Sequence, residues 1–319
     1  MRKANRLIGA GLIGLAGALS GCGERTETVD TGLEEKIVEN AQPTGLEISE
    51  ANQFLRAFPD EIPGIESVEK YETPGADQTI VHIRQRHYFN PDNLHIHRVI
   101  NEEIESLRES IKEFEEDFPE EASEMRRAIN RSIEIGRLGV REYFTEVINV
   151  QKNIFQSLIY LQKEIGLGET RVEGVHRDYE EEKLMDHINL IYAEVINKGY
   201  FTKEEAEEKE VVFLGGAAHM LWSRGMIDIK PAETKEANLK ALEVFLDSNS
   251  SASEREKYSK KIREDVFLDL VDAGGERYSV VVYGALHDWR DNINEWNRDN
   301  PDNKFSLITM TPYGIEGDK

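Results

Sequence analysis

The chain of 319 residues carries 39 lysines and arginines against 62 aspartates and glutamates, a formal net charge of −23, and one cysteine. That acidity repels nucleic acid phosphates and anionic lipid headgroups, and a lone cysteine excludes any intramolecular disulfide. The length is sufficient for a full hydrophobic core held by packing alone, in one domain with an insertion.

At the N-terminus, Arg2, Lys3 and Arg6 precede an apolar run over residues 7–19. The run is too short to span a bilayer comfortably but suits a signal peptide. It ends in Leu19-Ser20-Gly21-Cys22, which resembles a bacterial lipobox. Residues 1–21 are thus expected to be a lipoprotein signal, Cys22 the lipidated mature N-terminus, and residues 22–47 a polar tether. Loss of residues 1–21 removes three basic and no acidic side chains, taking the formal charge from −23 to −26. The expected location is the extracytoplasmic side of a membrane, with contact to the membrane through the lipid on Cys22.

Ser49 predicts the cap of a short helix over 48–58, and Pro59, Pro63 and Pro74 mark a loop after it. Residues 77–90, DQTIVHIRQRHYFN, read as the first core strand, with Thr79, Val81 and Ile83 on one face. Ile80, His82 and Arg84 take the other face. His87 falls at or past the strand end, where it can project into a cleft; His82 lies deeper, as a core histidine would.

Ile100, Ile104, Leu107, Ile111, Phe114 and Phe118 recur at helical spacing. Phe118-Pro119 ends that helix, and Pro119-Glu120-Glu121 starts another, which Gly136 and Gly139 are expected to interrupt. The pair predicts a helical hairpin inserted over 91–146. A crossover helix over 147–165 follows, with Val150, Ile154, Leu158 and Leu161 on its buried stripe, and stops at Gly166. Residues 170–175 form a second short strand. Its Glu173 is informative, because a carboxylate at the end of a buried strand is costly unless paired or useful.

Helices are expected over 180–197 and 203–211. The small-residue stretch Gly215-Gly216-Ala217-Ala218-His219 reads as a tight turn or helix start whose glycines admit close approach of a ligand. Residues 227–229 form a short strand, with Glu233 just past its end. Helices over 234–247 and 253–273 come next. Arg263 in the second lies beside the apolar positions Ile262, Val266 and Leu270 and can bring its guanidinium to a site.

Residues 278–283, with three consecutive valines, suit a strand buried on both faces. Gly284-Ala285-Leu286-His287 ends it, Asp288 caps a helix over 288–298, and residues 305–310 form the last strand. Strand and helix alternate, which predicts an α/β domain over 48–319: a mainly parallel sheet flanked by helices, with the helical hairpin inserted. Chemistry in such sheets sits at the strand C-terminal ends, so His87, Glu173 and His287 are expected to meet in one cleft. No HExxH helix, P-loop or GxSxG is present.

The order of these pieces resembles the Tiki/TraB, erythromycin-esterase and ChaN-like group of α/β proteins. Gly284-Ala285-Leu286-His287 is similar to that group's second Gly-x-x-His element, Arg263-Glu264 to its helical arginine, and Val172-Glu173-Gly174 to its strand glutamate. The first element departs from the pattern: Arg84-Gln85-Arg86-His87 keeps the histidine and lacks the glycine. The resemblance implies a membrane-anchored hydrolase of peptide or ester bonds, with His87, Glu173, Arg263 and His287 as catalytic residues. It implies either a divalent metal or His/Glu general-base chemistry. Candidate metal ligands are His87, Glu173 and His287, with Glu233 and His219 further out. The alternatives are a surface lipoprotein that binds haem or another ligand, with His87 or Tyr88 as axial group, and an inert scaffold of the same fold.

Overall fold

The computed structural model describes residues 48–86, 118–176, 181–247 and 249–315, with isolated helical positions between 106 and 115. The expected signal, Cys22, the tether and His87 therefore lie outside the described residues. The chain falls into two compact units. One takes Ile48–Phe89 and Arg141–Lys319 and holds the whole sheet; the other takes Met1–Glu47 and Asn90–Val140.

The sheet unit opens with α1 (Glu50–Ala57), capped by Ser49 Oγ, which accepts from Asn52 N at 3.3 Å. Strand β1 (Ile65–Tyr71) follows where a proline-marked loop was expected. It pairs antiparallel with the last strand, and its prolines stand outside the pairing residues. The other strands are β2 (Gln78–Gln85), β3 (Glu169–His176), β4 (Asp228–Glu233), β5 (Tyr278–Gly284) and β6 (Phe305–Pro312). Their order is β1-β6-β2-β5-β3-β4, and every pairing except β1 with β6 is parallel. The protein has the α/β fold, a mainly parallel sheet flanked by helices.

The alternation of side chains along β5 divides the core. Val280 and Val282 join Val81, Ile83 and Val172 on one face, against Val150, Ile154 and Leu158. Val281 and Tyr283 join Ile80 on the other, against Phe267, Leu268, Trp289 and Ile293. Each buried Val, Leu or Ile contributes roughly 1.5–3 kcal/mol, which explains why this sheet needs no disulfide.

The helices differ from expectation in two places. Helix α2 runs unbroken from Pro119 to Tyr160 and closes in a π turn, Leu161–Ile165, with Gly166 left-handed at φ 82°. The expected break at Gly136 and Gly139 does not occur. Each glycine costs a helix only about 0.5–1 kcal/mol, less than the flanking turns return. Further on come α3 (Glu181–Asn197), α4 (Lys203–Glu208), a 3₁₀ turn (Val211–Gly215), α5 (Ala217–Trp222) and α6 (Lys235–Leu246). Then α7 (Ala252–Glu256) passes through a π turn into α8 (Ile262–Gly274), and α9 (Trp289–Asp299) completes the set. The buried face of α8 is Glu264, Phe267, Leu268 and Val271, not the stripe of Ile262, Val266 and Leu270. A glutamate on the core side disguises the true face.

Candidate functional site

The C-terminal ends of β3, β4 and β5 gather four of the six expected site residues. In β3 the ladder to β4 is irregular between Val172 and His176, and Gly174 within it has φ 83°. That left-handed turn favours glycine. It directs the Gly174 N–H to Glu233 Oε1 at 2.5 Å. Glu173 Oε2 accepts from the Gly284 N–H at 2.7 Å, tying β3 to the end of β5. Glu233 is the last residue of β4 rather than a loop residue, and it is fully buried.

Arg263, in the first turn of α8, joins the two carboxylates. Its Nε and Nη2 donate to the Glu233 oxygens at 2.8 and 2.7 Å, a bidentate pair. Nη2 also lies 2.8 Å from Glu173 Oε1. The guanidinium sits over the Tyr283 ring, 5.2 Å from its centre. Burial alone lowers the Arg263 pKa, but the charge of Glu173 and the hydrogen bonds to Glu233 outweigh it and hold the group well above its ordinary value.

His287 is placed by the turn that ends β5. Its N–H donates to Gly284 O at 3.1 Å, and Arg84 donates from Nε and Nη2 to Ala285 O at 3.0 and 2.7 Å. The next residue but one starts α9, capped by Asp288 Oδ1 at 3.2 Å from Arg290 N. Inside the turn, His287 Nδ1 meets Glu264 Oε1 at 2.6 Å, and Nε2 lies 3.9 Å from Glu173 Oε1. Burial pushes the Glu264 carboxyl up, and its hydrogen bond to His287 opposes the rise. As a carboxylate, Glu264 selects the Nδ1–H tautomer and leaves the Nε2 lone pair on the Glu173 side.

Glu173 also borders a cavity of about 100 Å³ whose wall includes Gln85, Gln151, Gly216 and His219. His219 thus shares the cavity wall with Glu173. Gly216, at φ 94°, is needed here because a Cβ would sit 3.1 Å from His219 Nδ1. His82 is a core residue: Nε2 meets Tyr283 O at 3.3 Å, and its ring is edge-on to Trp289 at 5.6 Å.

Among the described residues no group of three or more His, Cys, Asp or Glu is placed to hold a metal ion. Glu173 and Glu233 instead engage Arg263, and His87 lies outside the described residues, as does Tyr88, the other expected haem ligand. Sequence reasoning missed the part played by Glu264, Tyr283 and Gln151. Glu264 was visible only as the neighbour of Arg263; its signal was an acid among apolar residues at helical spacing. Comparison of the chain with protein-family models, curated proteins and solved structures finds no match.

Proposed function

We propose that the chain is a hydrolase of peptide or ester bonds, lipid-anchored through Cys22 on the extracytoplasmic side of a membrane. The observation that carries this reading is the line Glu264–His287–Glu173, a base with an orienting carboxylate on one nitrogen and a second carboxylate 3.9 Å from the other. That distance is too long for a direct hydrogen bond and leaves both groups within reach of one water oxygen. The resemblance to the Tiki/TraB, erythromycin-esterase and ChaN-like group supports the same residues.

In this mechanism His287 Nε2 takes a proton from water, and the hydroxide oxygen bonds to the scissile carbonyl carbon. Glu264 stabilises the imidazolium that forms. Arg263 holds Glu173 in place. The C–O or C–N bond then breaks as the imidazolium returns its proton to the leaving group. The test is hydrolysis of a panel of chromogenic esters and short peptides by the full chain in detergent. His287→Ala and Glu173→Gln are expected to lose about 10²–10⁴-fold in rate. Wild-type rates in both variants would sink the reading.

A further inference from the structure

The cavity beside Glu173 has a wall whose chemistry names its occupant. Gln85 is 9% and Gln151 3% exposed, and the two amides interlock. Gln151 Nε2 donates to Gln85 Oε1 at 3.4 Å and to Arg86 O at 3.3 Å, while its Oε1 accepts from Ala217 N at 2.8 Å. Gln85 Nε2 donates to Val282 O at 3.5 Å. A carboxamide has two N–H donors and an oxygen with two lone pairs. The pair therefore retains one donor, on Gln85, and one lone pair on each oxygen.

The rest of the wall discriminates by charge. No Lys or Arg among the described residues lines the cavity, and Glu173 does. Glu173 and Glu233 both pair with Arg263. An anion entering this low-dielectric space would face the Glu173 carboxylate. Val172, Val282, Ile191 and Leu214 supply an apolar body to the cavity. About 100 Å³ admits a short side chain or a small acyl unit.

Resting on the hydrolase reading, we infer that this cavity is a substrate subsite for an uncharged carboxamide, either a peptide unit or an Asn- or Gln-type side chain, next to the bond cleaved at Glu173 and His287. The amide N–H groups face the two glutamine oxygens, and its carbonyl faces the Gln85 N–H. The substrate class is thereby narrowed to peptides and amides rather than anionic esters.

The test is binding of propionamide, propionate and propylammonium to the full chain in detergent, by ligand-observed NMR. Propionamide is expected to bind and the two ions are not. Ala218→Leu, which fills the wall, and Gln85→Met, which keeps volume and removes the amide, should each weaken propionamide about tenfold. A thermal melt of each variant separates loss of binding from loss of fold. Propionate or propylammonium binding as well as propionamide, or propionamide unaffected by a folded Gln85→Met, overturns the inference. No hydrolysis is read, so failure of the hydrolase reading shows separately, in the rates of Glu173→Gln and His287→Ala.

Discussion

Arg263 is shared by two buried carboxylates, and that sharing sets what its loss should do. Arg263→Met leaves Glu173 and Glu233 in the core without their guanidinium, an uncompensated charge that costs about 3–5 kcal/mol. Urea denaturation should show that loss, and adding Glu233→Gln should recover part of it. An Arg263→Met chain as stable as wild type would mean that the network carries no weight. His82 makes a second prediction at this scale. Burial holds its pKa down from 6.5 to about 3, even though the Tyr283 carbonyl pulls the other way. Between those values the unfolded chain binds the proton and the folded chain does not, so His82 costs stability as pH falls through the window. Glu264 acts in the opposite sense. Its raised pKa stabilises the folded chain at low pH and loses that contribution as pH rises. His82→Gln should flatten the acid loss of stability between 6.5 and about 3, measured as denaturation midpoints across that window. Equal slopes in variant and wild type would remove His82 from the account.

Helix α2 is the element that departs most from the sequence reading. A built Cβ at Gly136 or Gly139 meets nothing within 4 Å, and neither residue has a positive φ. Gly136→Ala and Gly139→Ala should therefore each stabilise the chain by roughly 0.5–1 kcal/mol, through lower entropy of the unfolded state. Thermal melts would register this as a higher midpoint, and a lower one would mean the glycines are needed. Local signals mark where a helix can stop; the return from continued hydrogen bonding and packing decides whether it does. The same applies to α8, whose core face was misread by one residue. Apolar periodicity assumes that buried positions are apolar, and Glu264 breaks that assumption because His287 satisfies it.

At the scale of the whole molecule, no helix among the described residues is long and apolar enough to cross a membrane. The proposed attachment is through Cys22. Cys22→Ser is expected to move the protein from the membrane fraction to the soluble fraction, followed by immunoblot of fractionated cells. Retention of the variant on the membrane would refute the anchor. The acidity read from composition makes attraction to anionic headgroups an inadequate substitute for the lipid.

Strand β5 was legible because a parallel strand buried on both faces is a near-continuous apolar run, as its three consecutive valines are. The caps Ser49 and Asp288 were legible because capping is local chemistry. Edge strand β1 was not: its IESVEKY alternates weakly, and only pairing with β6 makes it a strand. In the site, Glu173, Arg263, Glu233 and His287 could be nominated by residue type at strand and helix ends. Their grouping, the orienting contact of Glu264 with His287, and the amide pair of Gln85 and Gln151 came only from the fold. Through their side chains these residues have hydrogen-bonded partners up to 197 positions away. No local pattern encodes such contacts; the order of strands in the sheet brings them together.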